Sequence, residues 1–187
     1  MIIKKEDYIM DVDIEQTKEY YKSHSLCDCS SCRNYYTQVK NRFPLLDEFL
    51  LELGVNIECP DELGCVESDN KIQYLFAAYT VCGKILEFDK YEIDLFEDSG
   101  VISITINNGY IPNEQKTDHF VVTVYNIVLP WALNEPFPKP ISTKKSFFDK
   151  IKAIFSKKMP TEKPEIFSGF LRFSPFFGTL RAKCGFS

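Results

Sequence analysis

IQYLFAAYTVC, residues 72–82, is apolar on both alternating faces, the pattern of a central strand covered on each side. The segments after it alternate. Tyr91, Ile93 and Leu95 alternate with Glu92 and Asp94, and Ile102, Ile104 and Ile106 alternate with Ser103 and Thr105. Both are half-buried strand patterns, and Glu97-Asp98-Ser99-Gly100 between them reads as a hairpin connection. Phe120 to Leu129 is a long β-branched run stopped by Pro130. Upstream of residue 72 the period is helical. Asp13 followed by Gln16 resembles a capping box and predicts a helix from about Ile14 to His24. A second helix is expected from near Cys32 to Arg42, because Pro44 disfavours helical geometry at Phe43. In PLLDEFLLELG, residues 44–54, Leu45, Leu46, Phe49, Leu50 and Leu53 form one apolar stripe. Gly54 can supply the left-handed residue that ends this third helix. Helices followed by strands predict an α+β fold: N-terminal helices packed on an antiparallel meander of four to five strands.

A chain of 187 residues is one domain, or one domain with an appendage. Its net charge of −5 argues against nucleic acid as the partner of the whole molecule. That average hides a division. Residues 1–138 carry 24 acidic against 11 basic side chains, a net of −13; residues 139–187 carry 11 basic against 3 acidic, a net of +8. Prolines 136, 138 and 140 mark the boundary between an acidic α+β domain and a basic, aromatic extension. Near the N-terminus Lys4 and Lys5 run directly into Glu6 and Asp7, with no apolar core of a secretory signal. No stretch reaches the ~18 apolar residues of a membrane-spanning helix. Seven cysteines without an export signal predict reduced thiols and a cytoplasmic protein.

Three of the cysteines fall within six positions, Cys27-Asp28-Cys29-Ser30-Ser31-Cys32. A structural zinc site takes four ligands, and this C-x-C-x2-C spacing supplies three. His24 is a local fourth; Cys59, Cys65 or Cys82 are alternatives brought round by the fold. The same Cys29–Cys32 pair at a helix start is also open to redox chemistry. The plainest reading is three small residues where two helices meet. All three readings stand on sequence alone.

Asp89, Glu92, Asp94, Glu97 and Asp98 gather acid on one hairpin, with Glu92 and Asp94 about 7 Å apart along a strand face. Tyr74, Tyr79, Tyr91, Tyr110 and Tyr125 come from the same region. Acid with tyrosine suits docking of a basic protein, through Asp89, Tyr91, Glu92, Asp94, Glu97 and Tyr110. Carboxylates in pairs are otherwise a solvated face, or ligands of a divalent ion. The two histidines, His24 and His119, form no recognisable catalytic group, and no nucleophile elbow, phosphate loop or dinucleotide fingerprint occurs. A non-catalytic binding protein is therefore expected; the alternatives are a zinc-stabilised module and a thiol- or carboxylate-based enzyme. In the extension, Phe147, Phe148, Ile151, Ile154 and Phe155 form one helical stripe among Lys144, Lys145, Lys150, Lys152, Lys157 and Lys158. A basic amphipathic helix over residues 144–158 suits a membrane surface, a partner's groove, or packing on its own domain.

CDCSSCRNYY (27–36), FPLLDEFLLELGVNIECPDE (43–62) and YNIVLPWALNEPFP (125–138) resemble small uncharacterised bacterial cytosolic proteins. The resemblance spans roughly residues 17–138 and implies no activity for any residue. In size, charge and fold class the chain is also similar, at fold level only, to the immunity proteins of bacterial toxin systems.

Overall fold

A computed structural model describes residues 1–88, 91–109 and 117–138. The fold is α+β, with eight antiparallel strands among the described residues rather than four or five. A hairpin, β1 (Ile2–Lys5) and β2 (Tyr8–Val12), precedes the helices α1 (Ile14–Lys22), α2 (Ser30–Tyr36), α3 (Val39–Arg42) and α4 (Pro44–Glu52). Then follow β3 (Glu62–Ser68), β4 (Lys71–Glu87), β5 (Ile93–Glu97), β6 (Gly100–Asn107), β7 (His119–Tyr125) and β8 (Ile127–Pro130). Strands β1, β2 and β3 are the additions to the expected meander. The first hairpin is short and charged at its turn, where Glu6 takes a positive φ of 49°.

The 17-residue β4 is the spine of the sheet. On one edge it pairs with β8 along Lys71–Tyr74 and with β7 along Ala77–Cys82. On the other it pairs with β3 along Lys71–Ala78 and with β2 along Gly83–Glu87. The sheet continues from β7 through β6 to β5. The Glu97–Gly100 hairpin forms as read from the sequence, with Glu97 opposite Gly100.

The unbroken apolar run in β4 has two causes. One is burial of both faces, since Ala78, Thr80 and Cys82 are buried as well as Ala77, Tyr79 and Val81. The other is a bulge. Gly64 pairs with Phe76 and Cys65 with Tyr74, which leaves Leu75 without a partner and exposed. The core-facing set therefore switches from Ile72 and Tyr74 to Ala77, Tyr79 and Val81. Phe76 is thrown to the opposite face, where its ring covers Gly64 so closely that a Cβ there would lie 2.4 Å from it.

Between β3 and β2, one edge of β4 has no strand beside it. Backbone groups there still need partners, because the strand is buried. They find them in α1 and Asp61. The Asp61 N–H donates to the Ala78 carbonyl at 2.9 Å, and the Thr80 N–H donates to Asp61 Oδ2 at 2.7 Å. The Tyr21 hydroxyl donates to the Thr80 carbonyl at 2.9 Å. The Cys82 N–H donates to Thr17 Oγ1 at 3.0 Å, and the Cys82 carbonyl accepts from the Asp13 N–H at 2.9 Å. Asp13 also caps α1, its carboxylate accepting from the Gln16 N–H at 3.0 Å.

Helices α2 to α4 contribute to one apolar core with β4, β6 and β7, in which Tyr35, Val39, Leu46, Leu50 and Leu53 join Tyr79, Ile104 and Val122. The expected second helix is broken in two, Ser30–Tyr36 and Val39–Arg42. The third matches its expected span and ends on Gly54 at φ +80°, with Val55 N–H bonding Leu50 O and Gly54 N–H bonding Leu51 O. Leu45 is an exception to its stripe and is exposed. Inside the core the Tyr35 and Tyr79 hydroxyls meet at 2.7 Å, and Tyr79 donates to the Ile57 carbonyl at 2.8 Å. Both phenols are held above their ordinary pKa by burial.

Thr17→Val keeps the shape of the side chain but leaves the buried Cys82 N–H without an acceptor. The expected loss is about 1–3 kcal/mol of folding stability with an unchanged denaturant slope, read by urea unfolding. A loss below about 0.5 kcal/mol would show that Thr17 does not seal this edge.

Candidate metal centre

The link from α1 to α2 carries Cys27 and Cys29, both exposed, and α2 carries Cys32 in its first turn, buried. Cys29 is the N-cap residue, in extended geometry at φ −70° and ψ 153°. Extended backbone before the cap and helical backbone after it turn the chain back on itself. The Sγ atoms of Cys27, Cys29 and Cys32 consequently lie within 4.8 Å of one another. Tetrahedral zinc with sulfur ligands at ~2.3 Å needs sulfurs about 3.8 Å apart, so a small contraction closes the set. Thiolates are soft donors that favour zinc or monovalent copper over magnesium or calcium. The donor type and spacing thus fit a thiophilic ion. Asp28, between the first two cysteines, is paired with Arg33 at 3.5 Å, and Arg33 reaches Glu135 at 2.6 Å.

The structure places His24 elsewhere. Its ring packs against Tyr20 and Tyr21, and its Nδ1 lies 3.7 Å from Asp61 Oδ1. The cause is Asp61, whose carboxylate is held at the β4 edge and also accepts from the Tyr20 hydroxyl. Of the remaining thiols, Cys59 sits 3.2 Å from Asn56 Nδ2 and is pushed up by burial and by Glu58 and Asp61. Cys82 is buried on β4, near Tyr20. Among the described residues, Cys65 on β3 lies outside the 4.8 Å group but opposite Tyr74, whose hydroxyl reaches the Ser31 carbonyl in the first turn of α2. Burial, then Glu67, pushes its thiol up to about 11, the Ser31 hydroxyl hydrogen-bonded to it pulls the other way, and Cys29 and Cys27 add smaller upward effects. Tyr36 is raised by burial first and next by Cys32, with which its hydroxyl is hydrogen-bonded. Neither Tyr36 nor Ser31 carries a sequence signal for this role.

The acidic hairpin is divided by the fold. Asp94 is exposed and accepts from Ser103 Oγ at 2.8 Å, and Glu92 is exposed. Glu97 points the other way. It is buried, and its Oε1 accepts from the Leu46 N–H at 2.8 Å, capping α4, whose own N-cap residue Phe43 has no side-chain acceptor. Tyr74 and Tyr79 face the helical core, whereas Tyr91 is 71% exposed and Phe96, five residues on, is 75% exposed. His119 packs its Nδ1 against the Thr117 carbonyl at 3.0 Å. Asp89 and Tyr110 lie outside the described residues, as do Lys144, Lys145, Phe147, Phe148, Ile151, Lys152 and Phe155. Among the described residues no helix is long and apolar enough to cross a membrane. No protein-family model matches the chain, and neither a curated protein nor a solved structure matches it.

Thiol alkylation of the metal-free protein at pH 8 is expected to modify Cys27 and Cys29 first. Cys82, fully buried, and Cys65, protonated until the pH approaches about 11, should lag. Peptide mass spectrometry over a time course checks the order, and early modification of Cys82 would contradict the packing described.

Proposed function

We propose that this chain binds a thiophilic metal ion, zinc foremost, at Cys27, Cys29 and Cys32, and that the ion fixes the α1–α2 link against the sheet. The observation that carries the reading is the grouping of three sulfurs within 4.8 Å. We read the role as structural, since three thiolates within six residues tie a link that has no regular structure of its own, and thiolate-rich zinc sites commonly hold folds together. Such a site needs reduced cysteines, so the proposed compartment is the cytosol. Protein purified without chelator should carry about one equivalent of zinc, and Cys32→Ser should lose it. Less than about half an equivalent after zinc reconstitution under reducing conditions overturns the reading.

A second reading rests on Tyr91 and Phe96, two large side chains exposed beside Glu92 and Asp94. It is an interaction surface for a basic protein, in the manner of an immunity protein, with aromatic anchors inside an acidic rim. The double variant Tyr91→Ala/Phe96→Ala should fail to retain a basic protein that the wild type captures at physiological salt. Equal retention by both would reject this surface.

A further inference from the structure

Three sulfurs leave one position of a tetrahedral ion open, and among the described thiols Cys65 is the one the fold links to the first turn of α2. Cys65 lies on β3 directly opposite Tyr74 of β4. The Tyr74 hydroxyl crosses to the helical layer and donates to the Ser31 carbonyl at 2.7 Å. Ser31 stands between Cys29 and Cys32. Through Tyr74, the Cys65 position on β3 is therefore linked to the first turn of α2. Its competitors are engaged elsewhere: His24 with Asp61, Cys59 with Asn56, and Cys82 in the buried stretch of β4 that Thr17 seals.

We infer that Cys65 is the fourth ligand of the metal site, closing a Cys27, Cys29, Cys32, Cys65 tetrathiolate that staples the α1–α2 link to β3. The inference rests on the metal-binding reading above and extends it across the sheet. A change of χ1 rotamer moves a cysteine sulfur by about 3 Å while the strand stays in place, so Cys65 can turn its sulfur toward the cluster from its position on β3. Each thiol that binds the ion releases its proton to solvent, and no electron is transferred. The Tyr36 and Ser31 hydroxyls, on α2 among these thiols, are the side-chain donors nearest at hand to the sulfurs. Donors of this kind spread the negative charge of a tetrathiolate and orient its ligands.

The test uses cobalt and zinc ions with the full-length chain, reduced. Wild type loaded with divalent cobalt should show a tetrahedral spectrum with the charge-transfer intensity of four thiolates. Cys65→Ser should lose about a quarter of that intensity and bind zinc more than about tenfold more weakly, whereas Cys59→Ser should match the wild type. A second measurement needs no variant: one equivalent of zinc should protect Cys65 of the wild type from alkylation along with Cys27, Cys29 and Cys32, and leave Cys59 as reactive as before. Metal binding with an unchanged Cys65→Ser spectrum and affinity, or with Cys65 unprotected, overturns the fourth ligand and leaves the three-cysteine site standing. No binding by the wild type overturns both.

Discussion

The demand of β4 for hydrogen-bond partners along both edges organises this molecule. A strand of 17 residues whose middle, residues 77–82, is buried cannot leave its backbone groups bare there. On one edge β8 and β7 meet that demand. On the other, β3 and β2 meet it only at the two ends, and the interval between them is filled by Asp61, Tyr21, Thr17 and Asp13. This places α1 across the edge instead of on a face. Gly83 closes the interval: at φ +138° it lets the β2 backbone approach so near that a Cβ would lie 2.1 Å from the Asp11 carbonyl oxygen. Once α1 is held at this edge, the link that leaves it starts beside β3. Tyr74 then connects the first turn of α2, where Cys32 lies, with Cys65 on β3, though the two are far apart in the chain.

Those features that depend on local chemistry were legible in the sequence. The α1 cap at Asp13, the Gly54 terminus and the 97–100 hairpin each rest on a few adjacent residues, and each formed. The regular alternation in residues 102–106 likewise named the core face of β6. What failed was whatever the tertiary structure supplied. Strands β1 and β2 are short and charged, and they are strands because Met10 and Val12 reach the core while their edge is completed by β4. The break after Tyr36 has no proline or glycine to announce it. The doubly apolar look of residues 72–82 was read as burial of two faces, and half of that appearance is the phase shift at Leu75. Periodicity cannot separate these causes, because a bulge is specified by the partner strand.

The same distinction runs through the candidate site. The triple cysteine spacing was visible because it lies within six adjacent residues, and the extended cap at Cys29 ahead of α2 accompanies the grouping of the sulfurs. His24 was a reasonable local ligand by spacing, but Asp61, brought to it by the β4 edge, competes for the imidazole. Glu97 was counted with the hairpin acids because proximity in sequence is indifferent to strand parity. Two residues decide its role: Pro44 at the first position of α4, and Phe43 before it, which offers no side-chain acceptor. The helix borrows its cap from the neighbouring hairpin, so this carboxylate stabilises the helical layer and is withdrawn from the surface charge.

A metal bridging residues 27–32 to residue 65 acts on the chain as a cross-link does. Closing a loop of about 30 residues removes conformational entropy from the unfolded chain worth roughly 3–4 kcal/mol on the chain-entropy account. That is a large share of the 5–15 kcal/mol by which domains are stable. The apolar core already joins the helical layer to the sheet through Tyr35, Leu46 and Leu50. The segment it does not reach is residues 23–29, which carries no regular structure and is largely exposed. An ion held there adds order where hydrophobic burial cannot. The position of the thiols thus matches the place in the fold where a small, directional tie has the most to contribute.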